Sequence, residues 1–391
     1  MPDLTLLALG LGLAFPAIVT SPWEYARVPS GATAPMGVGT FNAATCAACH
    51  PDIAKEWSAS THAHAWTDRQ FQAERSKDPP VAWLCDNCHT PLARQQPERT
   101  TSTGDPRAPL RWPNPEFEPS LQPEGITCLT CHWRPNGIAG IHANPASPHP
   151  VVVDPGLRSE KTCTICHQAV AAVGDTLVCT FNTGEEWRAA APGKTCPECH
   201  MPRITRPVAV GGIPRDGGRH LWAGGLVPKV PYTPEEQALF ADWKPGVALE
   251  AALPADVTPG QALTVDLHLK HQIAGHRVPT GDPERFLQLE AEAVDASGHV
   301  IAHVSHRVGQ TWTWWPKAVR TGDNRLNPGE DRVIPLTFVR PDGAVTVRAT
   351  LDHVRISAEN AAHHNLAGYP TQRRVATWSA VLPGSPPAQR K

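Results

Sequence analysis

The sequence has no surplus of either charge and contains few tyrosines and methionines. Its 391 residues include 35 Lys and Arg against 37 Asp and Glu, a formal net charge of −2. Proteins that bind nucleic acid normally present a strongly basic face, so we predict no nucleic-acid partner. With 3 Met and 3 Tyr, the chain also offers few thioether or phenol ligands to a metal.

An apolar run near the N-terminus is short for a transmembrane helix. Leu4 to Val19 spans roughly 16 residues, whereas a spanning helix needs about 20. The run is typical of a signal-peptide core, although no Lys or Arg precedes it and Asp3 is acidic. We predict that residues 1–22 are a signal peptide or an N-terminal anchor that could tether the protein to a membrane. A buried N-terminal helix is the alternative.

Histidine and cysteine are abundant, with 19 and 11 residues, and ten of the cysteines form a repeated Cys-x-x-Cys-His motif. This motif is the attachment signature of c-type haem: its two thiols bond to one porphyrin, and its histidine is the proximal ligand of the iron. The sequence therefore predicts five covalently bound haem c groups. The motifs, called first to fifth below, are Cys46 to Cys49 with His50, Cys85 to Cys88 with His89, Cys128 to Cys131 with His132, Cys163 to Cys166 with His167, and Cys196 to Cys199 with His200.

Neither zinc binding nor a disulfide framework accounts well for the repeat. Zinc sites and disulfide frameworks do not require a histidine directly after every pair of cysteines. Covalent haem attachment takes place outside the bacterial cytoplasm, so a periplasmic or extracellular location is expected. The eleventh cysteine, Cys179, is interpreted as a structural thiol.

Fourteen further histidines compete for the sixth coordination position of each iron, and bis-histidine ligation is the expected arrangement. His276 lies in a turn between two predicted strands and would have to reach a haem across a domain interface. A structural role in that turn is the alternative. The candidate distal ligands are His62 with His64 as its alternate, His149, His220, His276 and, less strongly supported, His142.

The pattern of apolar residues divides the chain into two regions. Residues 23–245 hold the motifs among Pro- and Gly-rich loops, with short helices predicted over 52–66 and 159–172 and another from Thr233 to about Trp243. Residues 246–385 alternate apolar and polar positions, as at Leu263 to Leu269, which predicts a sandwich of about seven antiparallel strands. Residues 386–391 are read as a tail.

These features make the chain resemble multihaem cytochromes c related to the tetrahaem cytochrome c of ammonia-oxidising bacteria. The resemblance lies in the first motif with Trp57 and His62, in Glu185 to Trp187, and in Arg219-His220. Gly275 to Gly281 and Asp323 to Glu330 resemble the Ig-like β-domain appended to many such proteins. The resemblance implies a haem-packed, mainly α-helical or irregular domain followed by an Ig-like β-sandwich. The chain has five motifs where the tetrahaem protein has four, so ligand pairs cannot be transferred.

Two functions compete at this level. The first is electron transfer between redox partner proteins through closely spaced, mostly bis-histidine haems, and it is the preferred one. The alternative is an oxidoreductase that acts on nitrite or hydroxylamine at one haem with an open coordination position. The scarcity of tyrosine and the absence of a lysine in place of any proximal histidine argue against the enzyme.

Overall fold

The computed structural model describes residues 28–384, except 174, 176, 255, 256 and 315. The predicted signal or anchor segment and the predicted tail lie outside these residues. Within the part of the chain that is described, no helix is long and apolar enough to cross a membrane.

Residues 28–245, called the motif region below, consist of short helices and small sheets joined by turns. Four of the five motifs end a helix at their histidine, and one helical turn places the two cysteines, three residues apart, on the same face. The first motif instead begins at Cys46, near the end of the first helix, and ends at His50, directly before the second helix. The helices are α1 Ala43–Ala47, α2 Pro51–Ser58, α3 Arg69–Ser76, α4 Ala82–His89, α5 Cys128–His132, α6 Lys161–His167, α7 Thr183–Ala190, α8 Cys196–His200 and α9 Pro234–Ala238.

Small sheets brace the loops between these helices. Three are antiparallel hairpins, β1 with β2, β6 with β7, and β8 with β9, and the fourth joins β3, β4 and β5, with β4 and β5 parallel. The strands are β1 Glu98–Thr101, β2 Leu110–Pro113, β3 Trp133–Arg134, β4 Gly137–Gly140, β5 Val151–Val153, β6 Ala169–Val173, β7 Leu177–Phe181, β8 Arg203–Pro207 and β9 Pro214–Gly218.

Three predicted helices are shorter in the structure. The helix expected over 159–172 ends at His167, because Ala169–Val173 pairs with Leu177–Phe181 as a hairpin that buries Ala169 and Val173. The helix expected over 52–66 ends at Ser58, and turns follow. The helix at Thr233 begins as predicted, with the threonine side chain accepting a hydrogen bond from the Glu236 amide, but it ends at Ala238.

The C-terminal region is built from antiparallel strands, as predicted. Eight strands form a sheet ordered β10-β11-β15 and another ordered β14-β13-β12-β16-β17. A short helix, α10 Ala358–His363, precedes the last strand. The strands are β10 Val247–Ala251, β11 Ala262–His271, β12 Phe286–Asp295, β13 Val300–Thr313, β14 Val319–Asp323, β15 Asp331–Val339, β16 Val345–Val354 and β17 Gln372–Leu382.

The two sheets share one hydrophobic core. The alternating apolar residues of the strands are buried. They are Leu263, Val265, Leu267 and Leu269 of β11, Leu287, Leu289 and Ala291 of β12, and Val345 and Val347 of β16. Side chains from both sheets belong to the same cluster, so the period-two pattern correctly identified the inward positions. The finer assignment to an Ig-like sandwich stays a prediction.

Candidate haem site

The cysteines bring the five motifs next to one another. All eleven cysteines are free of disulfide bonds, and among the described residues they do not gather into a cluster that could hold zinc. Thiols of different motifs instead make contact in three places: Cys46 with Cys128, Cys88 with Cys166, and Cys163 with Cys196. The motifs are thus close in space although they are spread over more than a hundred residues of sequence. The half-buried Cys179 packs against the Val81 and Trp83 cluster, which fits a structural thiol.

Four motif histidines are oriented by the backbone. Their Nδ1 atoms lie within hydrogen-bonding distance of carbonyl oxygens: His50 to Val208 at 2.5 Å, His89 to Ala65 at 2.7 Å, His132 to Ala139 at 2.8 Å and His200 to Ala223 at 3.3 Å. An Nδ1–H that donates to a carbonyl leaves the Nε2 lone pair free, which is the tautomer that a metal-bound histidine adopts.

Three of the predicted distal histidines each face a motif histidine. The ring centroids of His62 and His167 are 6.3 Å apart, those of His132 and His220 are 6.2 Å apart, and those of His200 and His276 are 6.2 Å apart. The Nδ1 atoms of His220 and His276 also lie 3.0 and 2.9 Å from backbone carbonyl oxygens. The structure therefore brings His276 next to the fifth motif, although His276 belongs to the C-terminal strands, residues 246–384, called the β region below.

The ring spacing fits an iron between the two imidazoles. A histidine nitrogen lies about 2.0–2.1 Å from a transition metal that it binds, and the ring centroid lies roughly 1.2 Å further. Two imidazoles on opposite faces of one iron therefore have centroids about 6.4–6.6 Å apart. All three pairs lie close to this range, so these residues fit a haem iron held by two histidines.

The other candidates are not paired in this way. His64 and His149 are half-buried, His142 is exposed, and the Nδ1 of His149 lies 3.4 Å from the Pro150 carbonyl oxygen. Among the described residues, no second imidazole ring lies opposite His50 or His89 at the spacing of the three pairs. The ring of His89 instead stacks on Phe71, with centroids 3.6 Å apart.

Burial keeps the paired imidazoles neutral. It lowers the pKa of His62 to about 3 and that of His167 and His220 to about 4, with neighbouring positive charges adding to the effect. Since an imidazole must be unprotonated to bind a metal, these environments favour ligation at neutral pH.

A buried carboxylate that the sequence did not reveal fixes the position of His220. Glu56 of α2 is 2 % exposed and accepts hydrogen bonds from the guanidinium groups of Arg206 and Arg219 and, at 2.8 Å, from the backbone N–H of His220. Burial opposes ionisation of Glu56, but these donors outweigh it and hold its pKa below the ordinary value. The pairing across more than 150 residues ties the helix after the first motif to the partner of His132.

A second buried ion pair holds the turn that carries His276. Arg325 donates to Glu186 of α7 at 2.7 Å, and the hydroxyl of Thr280 donates to the other oxygen of Glu186, also at 2.7 Å. The Glu186 and Arg325 side chains are 9 % and 6 % exposed. From the other side, His271 Nε2 lies 2.8 Å from the His276 carbonyl oxygen, and its Nδ1 accepts from Gly329 at 3.3 Å. With both nitrogens bound to the backbone, His271 is a structural residue.

Trp222 lies between two of the histidine pairs. Its ring centroid is 4.7 Å from that of His62 and 5.2 Å from that of His220. Its backbone has a φ of 41°, a left-handed conformation that is costly for a bulky residue and that packing must enforce. The indole fills the space between the pairs of the third and fourth motifs.

Comparison with known proteins finds a matching family model and similar solved structures. The family described as Cytochrome c554 and c-prime matches residues 45–110, which contain the first two motifs. A search of the curated proteins gave no match.

Among solved structures, the penta-heme cytochrome c552 from Thermochromatium tepidum is similar, with a TM-score of 0.59 and 17 % identity over 89 % of this chain and 100 % of that one. A CARDB domain of Pyrococcus furiosus PF1109 covers 40 % of this chain and 100 % of its own at 12 % identity, but its TM-score of 0.22 carries no weight. The family match, the shared fold and the motifs together support a multihaem c-type cytochrome with covalently bound haem c.

Proposed function

We propose that the protein is an exported pentahaem cytochrome c that transfers single electrons between redox partner proteins. The observation that carries the proposal is the set of three histidine pairs at 6.2–6.3 Å, each formed by one motif histidine and one histidine from elsewhere. An iron with histidine on both faces has no open position for substrate, so its natural role is electron transfer.

The roles of the side chains follow from this proposal. The ten motif cysteines hold five porphyrins, and the five motif histidines bind the irons from one face. His62, His220 and His276 are the second ligands at the fourth, third and fifth motifs. The haems supply one-electron redox chemistry, while the chain fixes their spacing, orients the imidazoles and keeps water from the irons.

The contacts between motifs give an order for the haems. The thiol contacts join the first motif to the third, the second to the fourth, and the fourth to the fifth. The Cys131 and Cys163 thiols are also neighbours, which links the third motif to the fourth. We infer a path from the first haem through the third and fourth to the fifth, with the second haem beside the fourth.

A second candidate function rests on the two motifs without a paired imidazole. If His89 has no partner, the second haem has an open coordination position, as an oxidoreductase of nitrite or hydroxylamine would need. The ring that packs against His89 is that of Phe71, with centroids 3.6 Å apart, and a phenyl ring cannot bind iron.

One set of measurements separates the two functions. Electron paramagnetic resonance of the oxidised protein counts high-spin and low-spin iron, and steady-state assays with reduced mediator dyes test turnover of nitrite and hydroxylamine. Electron transfer predicts mostly low-spin iron, rapid exchange with mediators and no turnover. A high-spin iron together with substantial turnover would replace it with the enzyme.

Export and partners are proposals that follow from the cofactor. Covalent attachment of haem c places maturation outside the cytoplasm, so we propose a periplasmic or extracellular location. The donor and acceptor would be other redox proteins that dock where a haem edge approaches the surface. Fractionation of cells, followed by haem staining of each fraction, tests the location.

A further inference from the structure

Three ligand-type side chains from separate segments meet away from the histidine pairs. They are Glu74 at the end of α3, Glu284 in the loop before β12, and His364 directly after α10, called the Glu74 cluster below. One ligand atom from each lies within 4.8 Å of the others, and the Nε2 atom of His364 is 3.0 Å from Oε1 of Glu74. The cluster joins the motif region to the β region.

Each carboxylate in the cluster has one oxygen held by the protein and one directed into the cluster. Oε1 of Glu284 accepts from the side-chain amide of Asn360 at 2.8 Å, and Oε2 of Glu74 pairs with Lys77 at 2.7 Å. The remaining oxygens are buried: Oε2 of Glu284 has no hydrogen-bond partner among the described residues, and Oε1 of Glu74 has only the imidazole of His364 beside it, at 3.0 Å. Buried carboxylate oxygens are costly when unpaired, so the arrangement calls for a positively charged occupant.

The His364 side chain is also buried, with only 7 % of it exposed, and its Nε2 is directed at Glu74. One imidazole nitrogen and two carboxylate oxygens form a mixed donor set that suits a divalent transition cation, whereas Ca²⁺ prefers oxygen ligands alone. Asn360 and Lys77 would then be the outer partners that orient the ligands, as metal sites generally require.

We propose that Glu74, Glu284 and His364 bind one divalent transition cation such as Zn²⁺, and that this ion ties the motif region to the β region. The site uses none of the motif residues and does not depend on the electron-transfer role. The competing occupant is a proton. Burial and the nearby carboxylates Asp282 and Glu74 raise the pKa of Glu284 to about 8. Protonation of Glu284 is therefore the other way to remove the repulsion between the carboxylates.

The test uses the haem-loaded protein, dialysed against chelator and then against Zn²⁺. Elemental analysis measures zinc separately from haem iron, and thermal unfolding is followed with and without Zn²⁺. We expect one tightly held zinc per chain and a rise in Tm of about 3 °C or more at an excess of roughly a hundredfold over the Kd. The same titration with Ca²⁺ should give a much smaller rise.

The variants Glu284→Gln and His364→Ala should lose the zinc and the Tm rise while keeping their haem absorbance. His363→Ala is the matched control, because that neighbouring histidine is exposed and outside the cluster. If Glu284→Gln fails to fold, Glu74→Gln provides the same test from the other carboxylate.

Absence of stoichiometric zinc in the wild-type protein would overturn the proposal in favour of a shared proton. Equal binding of Ca²⁺ would overturn the assigned cation class. Retention of zinc by all three cluster variants would show that the metal lies elsewhere. None of these outcomes changes the haem content or spin state, so failure here is distinguishable from failure of the electron-transfer proposal.

Discussion

Replacing His276 with alanine tests whether the β region completes a haem. The ring of His276 faces that of His200 with a centroid distance of 6.2 Å, and its Nδ1 lies 2.9 Å from the Arg277 carbonyl oxygen. If it is the second ligand of the fifth haem, His276→Ala removes one axial bond and opens one iron. About one-fifth of the iron should then change from low spin to high spin and bind carbon monoxide, while all five haems stay attached.

The same change should loosen the interface between the two regions. Loss of a packed side chain typically costs about 0.5–3 kcal/mol, and loss of a coordinate bond present only in the folded state adds to this. The pair of Arg325 and Glu186 is untouched, so the β region should stay docked at moderate temperature.

Spin state by electron paramagnetic resonance, carbon monoxide difference spectra and calorimetric Tm are the assays for His276→Ala. His303→Ala is the control, because His303 is exposed on β13 and pairs with Glu290. An unchanged spin state in His276→Ala, with a lowered Tm, would refute the ligand assignment and leave His276 as a structural residue of the turn.

Two further predictions concern the buried ion pair behind that turn. Arg325→Met leaves Glu186 buried without its partner, so we expect a loss of about 3–5 kcal/mol in denaturant unfolding; a loss below about 1 kcal/mol would contradict this reasoning. Burial opposes ionisation of Asp323, but hydrogen bonds from Arg325 outweigh it and lower its pKa. The stability that Asp323 contributes is therefore present above its unfolded pKa of about 3.9 and is lost as pH falls through the lower folded value. Tm measured from pH 6 to 3 should fall less in Asp323→Asn than in the wild type; parallel curves would count against it.

The parts of the molecule set by local chemistry were predictable from the sequence. The spacing of each Cys-x-x-Cys-His motif is typical of haem c attachment, and four of the five motifs end a short helix at their histidine. Alternation at Leu263, Val265 and Leu267 likewise identified the inward face of a strand, because side chains along a strand point to opposite faces in turn.

Features that depend on distant partners were not predictable. Glu56 meets Arg206 only after 150 residues of intervening chain, and Glu186 meets Arg325 across the two regions. Nothing near these residues in sequence indicates the pairing.

For the candidate distal ligands too, the sequence indicated the residue type but not the partner. His62 follows the first motif closely, yet it faces His167 of the fourth motif, so proximity in sequence did not identify its iron. His142 and His149 lie in loops from which an imidazole could reach an iron, but the structure leaves them without a facing motif histidine among the residues it describes. Sequence reasoning selects residues able to ligate, while the fold decides which irons they can reach.

The hydrophobic packing of the two regions differs, and the difference predicts how far the folding of each region depends on haem. Among the described residues, the β region has a cluster of twenty buried side chains and a second of four, whereas the motif region divides its buried apolar residues among clusters of five, five and four. Small separate clusters cannot offset the conformational entropy of a long, loop-rich chain, so porphyrin must supply much of the missing apolar contact. If the ten motif cysteines are changed to alanine, we expect the β region to keep its strands and resist protease while the motif region is digested. Equal protease resistance of both regions in the haem-free protein would show that the motif region has a sufficient core of its own.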